Sequence, residues 1–259
     1  MNRFVSAVIV AGILMSTIAA GAASAATVLI TGSNRGLGLE FAKQYAAQGW
    51  TVIATTRRPD DAKDLKDLAS KNKSIVIERL DVTDLASINA LAAKYKGKPI
   101  DVLINNAGVL GDVPKQSLGK LDREVFRQVM DTNVFGAWAV TEAFRDNVAA
   151  SEQKKVIALT SLMGSIAAAG PGHTFYRSSK AAVSMGMRAL GGEMRKQGVV
   201  VGIIAPGVAD TDMLKEFGYV GPLTISAPTA VEGMIKVIAG LTPEMARKPI
   251  NYDGKQFEW

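Results

Sequence analysis

From Thr27 onward the chain alternates short apolar runs with longer stretches in which apolar residues return every three or four positions. The short runs predict strands at Thr27–Thr31, Thr51–Thr55, Ser74–Arg79, Val102–Asn105, Val156–Thr160, Val199–Ala205 and Ile250–Tyr252. The longer stretches predict helices at Leu37–Gln48, Asp61–Ser70, Leu85–Tyr95, Asp122–Ala149, Tyr176–Gln197 and Thr229–Ala239. Most of the strand runs are apolar at successive positions, the pattern of strands covered on both faces. Alternating β and α elements of this kind imply one α/β domain, a doubly wound parallel sheet with helices on either side. No internal repeat, low-complexity block or linker interrupts residues 26–259.

The first 25 residues follow a different pattern. Arg3 precedes an uncharged apolar run from Phe4 to Ala20, and the small-x-small sequence Ala23-Ser24-Ala25 closes it. A basic start, an apolar run and an A-x-A end describe a secretory signal cleaved after Ala25. The run is also near bilayer-spanning length, so a retained N-terminal anchor is a second reading. A start at Met15 or later, leaving a cytoplasmic protein, is a third. The first two readings place residues 26–259 outside the cytoplasm, periplasmic or secreted, because Arg3 favours the inner side. Contact with a membrane is expected only through this segment.

Composition narrows the chemistry. The chain has no Cys and one His, which excludes a disulfide framework and a thiolate metal site and argues against a histidine-based zinc site or a Ser-His-Asp triad. No metal is expected. Catalysis must then rest on Tyr, Lys, Ser or carboxylates. The formal net charge of +6 is modest for 259 residues. Its densest basic group, Lys63 to Lys73, is offset by Asp60, Asp61, Asp64 and Asp67, so no concentrated nucleic-acid face is expected. A small polyanionic ligand accounts for the excess equally well.

Such a ligand has an evident place. Val28-Leu29-Ile30 leads into Thr31-Gly32-Ser33-Asn34-Arg35-Gly36-Leu37-Gly38, and Leu37 opens a helix. A strand, a glycine-rich turn and a helix N-terminus present free N–H groups and the positive helix end to a pyrophosphate, the Rossmann-type arrangement. Gly32 allows the turn, Gly36 permits close approach, and Gly38 lets helix and strand pack. The second strand ends Thr55-Thr56-Arg57-Arg58, with Thr56 where NAD-preferring proteins carry an acid for the ribose 2′-hydroxyl. Arg57 and Arg35 are placed to pair with a 2′-phosphate, and the missing carboxylate removes a repulsion. NADP(H) is the expected cofactor.

The spacing T-G-x-x-x-G-x-G resembles the short-chain dehydrogenase/reductase family, and later motifs extend the resemblance in order. Tyr176-Arg177-Ser178-Ser179-Lys180 matches its Y-x-x-x-K. Four residues apart on a helix, the Lys180 ammonium can lie beside the Tyr176 hydroxyl and favour its phenolate. The resemblance implies Tyr176 as acid/base, Ser161 as the hydroxyl on the substrate oxygen (with Thr160 a local rival), and Asn133 in a water relay to Lys180. It also implies that Asp81-Val82 touch adenine and Asn105-Asn106-Ala107-Gly108 lie against the adenosine ribose. Pro206-Gly207-Val208 and Thr211 would hold the nicotinamide carboxamide, and Tyr176 and Lys180 would also contact the cofactor. Lone His173 is expected to be a rim residue outside the site.

The resemblance spans Thr27 to Trp259. The Asp253-Gly254 turn, the terminal Trp259 and Thr211-Asp212-Met213 are similar to the C-factor/sniffer-like branch, which includes carbonyl reductases. It implies seven strands in order 3-2-1-4-5-6-7 and NADP(H)-dependent interconversion of a small-molecule carbonyl and alcohol. Leu110, Val113, Met163, Met213 and Phe217 lie where the cleft walls are expected and suggest an apolar substrate. A homodimer or homotetramer through the two long helices is a further implication, with Ala181, Ala182, Ser184 and Gly186 small enough for close packing. The rival from another class is a C-factor-type signalling or sensor protein that binds NADP(H) without needing turnover. A sugar-nucleotide epimerase is disfavoured by the glycine spacing and the short C-terminal region.

Overall fold

The computed structural model describes residues 25–219 and 221–259. The signal or anchor segment lies almost wholly outside these residues. Strands β1 (Thr27–Ile30), β2 (Thr51–Thr56), β3 (Ile75–Arg79), β4 (Val102–Asn105), β5 (Lys155–Leu159) and β6 (Val200–Ala205) alternate with helices. The helices are α1 (Gly36–Ala47), α2 (Lys63–Lys71), α3 (Leu85–Lys94), α4 (Arg123–Met130), α5 (Gly136–Ala149) and α6 (Thr174–Met194). Beyond them lie β7 (Val208–Ala209), α7 (Asp212–Phe217), β8 (Thr224–Ile225), α8 (Ala227–Ala239) and β9 (Ile250–Asn251).

The main sheet is parallel and seven-stranded, in order β3-β2-β1-β4-β5-β6-β9. Counting only its own members, β9 is the seventh strand, so the expected order holds. The sequence reading missed β7 and β8, whose two-residue pairing is too short to leave a hydrophobic period.

Every residue of β4 and β5 is buried, as the continuous apolar runs required. One core layer packs Phe41, Tyr45, Leu65, Val231 and Met234 on one face of the sheet. The other packs Ile88, Leu91, Val140, Phe144, Val183 and Met187 on the opposite face. Each fully buried large aliphatic side chain contributes about 1.5–3 kcal/mol. Gly186 is consumed within the chain, since a Cβ there would collide with the Trp138 ring of α5. The small residue serves α5–α6 packing, whatever lies outside.

Two features shape the site. Parallel strands bring the ends of β1, β2, β4, β5 and β6 to one edge, and the order reverses between β1 and β4, the point where such sheets open a crevice. The predicted helix 122–149 is also interrupted. Residues Asp131–Phe135 form a π-helical turn between α4 and α5, and that turn contains Asn133. A π turn widens the backbone and re-aims its side chains, and such turns frequently mark functional positions.

Candidate active site

A cleft of about 540 Å³ runs along that strand edge. Sixteen of the expected site residues line it: Gly32, Asn34, Arg35, Gly36, Leu37, Gly38, Arg57, Asp81, Val82, Asn106, Ala107, Gly108, Tyr176, Lys180, Pro206 and Thr211. Ser33, Asn105, Asn133, Ser161, Gly207 and Val208 stand outside the lining. Ser33 is wholly buried, and its hydroxyl donates to the Ile30 carbonyl at 3.0 Å. Asn105 is likewise buried, donating to Thr141 Oγ1 at 2.9 Å. Gly207 has φ +71°, and the Tyr252 ring occupies the space a side chain would need. Val208 pairs with Thr224 in the small second sheet. These four shape the cleft from behind.

At the phosphate end, Gly32 and Gly36 have φ of +69° and +57°, conformations that favour glycine. A Cβ on Gly38 would collide with the Gly32 carbonyl, so helix and turn close only with glycine there. Asn106 braces the turn by donating to the carbonyls of Thr31 and Gly32 at 2.8 and 3.0 Å. Arg35, the N-cap of α1, supplies no side-chain cap, leaving first-turn N–H groups for an anion. These features fit a dinucleotide pyrophosphate. Arg57 is exposed at the end of β2 and makes no ion pair among the described residues. Arg35 lies 3.5 Å from Asp212 across the cleft mouth.

At the other end, α6 begins at Thr174, with His173 at its N-cap in the left-handed region (φ +55°). Tyr176 therefore sits in the first turn. Its hydroxyl lies 3.9 Å from Met213 Sδ, and its ring meets Phe217 edge-on at 5.5 Å between centroids. Burial pushes the phenol up to about 12, and the Ser161 hydroxyl beside it pulls the other way. Lys180 Nζ lies 5.7 Å from the Tyr176 ring centroid and donates to the Leu159 carbonyl at 2.8 Å. Burial brings this ammonium down to about 8. In the protein alone burial outweighs the Ser161 hydroxyl, so the phenol is raised before any cofactor charge is brought beside it.

Thr160 is tied up elsewhere, its hydroxyl against Ser184 Oγ at 2.8 Å and the Lys180 carbonyl at 3.2 Å. Ser161 thus stands alone beside the phenol. Asn133 is buried one layer behind, donating to the Val109 carbonyl and to Ser179 Oγ while accepting from the Val109 N–H at 2.7 Å. A Cβ on Gly108 would stand 3.3 Å from Asn133 Oδ1 and 3.8 Å from Lys180 Nζ, so this glycine keeps open the space between them.

Of the expected apolar wall, Met213 and Phe217 meet Tyr176, whereas Leu110 is buried beneath the cleft. His173 lies outside the cleft lining and packs its ring against Phe217 of α7 at 4.5 Å between centroids. The sequence reading missed Thr132, Thr83, Asp61 and Asp212 in the lining. Thr83 is a turn position, Asp61 and Thr132 lie in short helical turns and Asp212 opens α7; the motifs gave none of them a site role, and only tertiary placement brings them to the cleft.

A Rossmann-type sheet whose switch-point cleft joins a glycine-rich anion turn to a Tyr-Lys-Ser group defines a nicotinamide-dinucleotide oxidoreductase. The short chain dehydrogenase family model matches residues 26–219, and the chain belongs to that family. C-signal of Myxococcus xanthus is 36% identical over 174 residues, covering 66% of this chain and all of that protein. The 1-hydroxy-2-glutathionyl-2-methyl-3-butene dehydrogenase of Rhodococcus sp. (strain AD45) is 32% identical over 241 residues, covering 90% of this chain and 99% of that one. Among solved structures, NADPH-bound carbonyl reductase from chicken fatty liver superposes with a TM-score of 0.83 at 31% identity, covering 91% of this chain and 99% of that one. The carbonyl reductase Sniffer of D. melanogaster gives 0.81 at 25%, covering 91% and 100%.

Proposed function

We propose that this protein interconverts a small apolar carbonyl compound and its secondary alcohol, with NADP(H) as the hydride partner. The observation that carries the reading is that Tyr176 and Lys180 line one end of a cleft whose other end is a phosphate cradle, with the Ser161 hydroxyl beside the phenol just outside the lining. Bound NADPH supplies the hydride to the carbonyl carbon. Tyr176 gives the proton at its hydroxyl to the carbonyl oxygen, which balances the reduction as carbonyl plus hydride plus proton. Ser161 donates a hydrogen bond to the same oxygen as negative charge develops on it. Lys180 stabilises the resulting phenolate and returns a proton to it, with Asn133 and the gap at Gly108 supporting that relay.

A phenol pushed up to about 12 remains protonated across the neutral range, which suits the reducing direction. Oxidation needs the phenolate and should rise with pH. Arg35 and Arg57 favour the 2′-phosphate of NADP(H), and Thr56 leaves no carboxylate to repel it. The NADPH-bound chicken carbonyl reductase is consistent with that preference. Pro206, Gly207, Val208 and Thr211 border the nicotinamide end, and Asp81, Val82 and Asn105–Gly108 the adenosine end. Met213 and Phe217 favour an apolar substrate. Residues 1–25 are read as an export signal, which N-terminal sequencing of the protein recovered from cells would test.

Titrating the full chain with NADPH and NADH, following nicotinamide fluorescence, tests the cofactor assignment. The expected result is at least tenfold tighter binding of NADPH; equal or tighter binding of NADH removes the roles given to Arg35 and Arg57. A panel of apolar ketones, aldehydes and quinones, scored by NADPH consumption, then tests the reaction.

A further inference from the structure

Tyr176 is held by its backbone as well as its side chain. The 3-10 turn Val113–Gln116 buries Gln116 completely, in a segment of which the sequence reading named only Val113. A fully buried amide must find partners for both ends or lose stability. Gln116 Nε2 donates to the Leu110 carbonyl at 2.8 Å, with the Asp112 carbonyl at 3.4 Å. Gln116 Oε1 accepts from the Tyr176 N–H at 3.0 Å. That N–H belongs to the first turn of α6, where no intrahelical acceptor exists and the N-cap His173 offers no side-chain cap.

The Tyr176 carbonyl is held from the other side. Ser179 Oγ donates to it at 2.8 Å, and Asn133 Nδ2 donates to Ser179 Oγ at 3.0 Å. Asn133 in turn clamps Val109 through both backbone groups. Two side-chain bridges therefore run from adjacent residues of the β4 loop, Val109 and Leu110, to the two backbone groups of Tyr176. Gly111 makes the Gln116 bridge possible: it has φ +77°, and a Cβ there would stand 2.6 Å from Val129 Cγ2 and 3.2 Å from Gln116 Nε2. The loop that ends the cofactor-side motif and the turn carrying the phenol are thus fixed in one frame.

We propose that Gln116 is a positioning residue for Tyr176, setting the phenol relative to the cofactor-side loop through the Leu110–Gln116–Tyr176 bridge. The proposal rests on the oxidoreductase reading for its catalytic consequence. A hydroxyl displaced by about an ångström can cost on the order of 100-fold in rate while leaving binding intact. Gln116 is not expected to touch substrate.

Two substitutions on the full chain separate positioning from bulk stability. Gln116→Met keeps length and removes both hydrogen bonds. Gln116→Glu, when protonated, restores both, since its hydroxyl donates to Leu110 and its carbonyl accepts from Tyr176; ionised, it loses the donor. With 9,10-phenanthrenequinone and NADPH, Gln116→Met should lower kcat roughly 10- to 100-fold, with NADPH affinity and the quinone KM within about threefold. Gln116→Glu should be near wild type at pH 6 and fall toward Gln116→Met as pH rises. In parallel, protein labelled at tyrosine Cζ gives a Tyr176 carbon signal, assigned by its loss in Tyr176→Phe. That signal should shift or broaden in Gln116→Met and recover in Gln116→Glu at pH 6.

A Gln116→Met protein with wild-type kcat, or an unmoved Tyr176 signal, overturns the proposal. So does a Gln116→Glu protein that tracks Gln116→Met at every pH. Turnover that survives in Tyr176→Phe instead overturns the oxidoreductase mechanism, while the carbon signal still decides whether Gln116 positions the phenol.

Discussion

Burial displaces both members of the Tyr176–Lys180 pair from their ordinary range. Lys180 comes down to about 8 and Tyr176 goes up to about 12. The lysine shift has a definite sign in stability. Its folded value lies below its unfolded value near 10.5, so the unfolded chain binds the extra proton between them. Wild type should therefore gain stability relative to Lys180→Met as pH rises from about 8 to 10.5. Urea denaturation of both proteins at pH 7, 9 and 10 checks this; a difference that stays constant with pH contradicts the burial of this ammonium. The Tyr-Lys pair was legible in the sequence because four residues on one helix is a local relation. Ser161 was named from the family motif, but what sets aside its local rival Thr160 was not legible, since it depends on Ser184, 24 residues away, occupying the threonine hydroxyl. Gln116 was illegible for the same reason at longer range: its partner Tyr176 lies 60 residues on.

Among the elements, the turn from β1 into α1 carries the most exacting constraint. Gly38 faces the Gly32 carbonyl and the Asn106 amide so closely that any Cβ forces backbone to move. Gly38→Ala should cost about 1–3 kcal/mol and weaken NADPH binding at least tenfold. Thermal unfolding and fluorescence titration read the two effects, and unchanged affinity would dissociate this turn from the cofactor. Gly108→Ala makes a gentler change, placing a methyl between Asn133 and Lys180. Turnover should fall roughly tenfold or more with cofactor affinity little altered, as expected for loss of a general acid–base contribution; a fall in affinity alone would shift Gly108 to a binding role. Helix periodicity revealed α4 and α5 as one run but could not reveal the π turn, which adds one residue per turn without breaking the apolar face. Asn133 was found by motif alone, and its re-aiming came from the structure.

At the scale of the molecule, a parallel sheet follows from buried strands joined by helical crossovers, while the order of its strands was legible only through the family resemblance. The switch point between β1 and β4 then brings into one cleft motifs that are separated by as many as 180 residues. One consequence is that α7 is joined across the cleft mouth to the glycine-rich turn, where Arg35 meets Asp212, and to α6, where Met213 meets Tyr176. Arg57→Glu should leave NADH binding within about threefold and weaken NADPH binding at least tenfold, because it adds repulsion only to the 2′-phosphate. Parallel fluorescence titrations check it, and equal losses for both cofactors would mean general damage to the cleft.

The central claim is that Tyr176 supplies the proton in an NADPH-dependent carbonyl reduction. The most direct test compares wild type and Tyr176→Phe in the same preparation, measuring NADPH affinity by fluorescence and NADPH consumption with a reducible apolar carbonyl. The account predicts equal affinity within about twofold and a loss of turnover of roughly 100-fold or more in Tyr176→Phe. Equal turnover in the two proteins would contradict it.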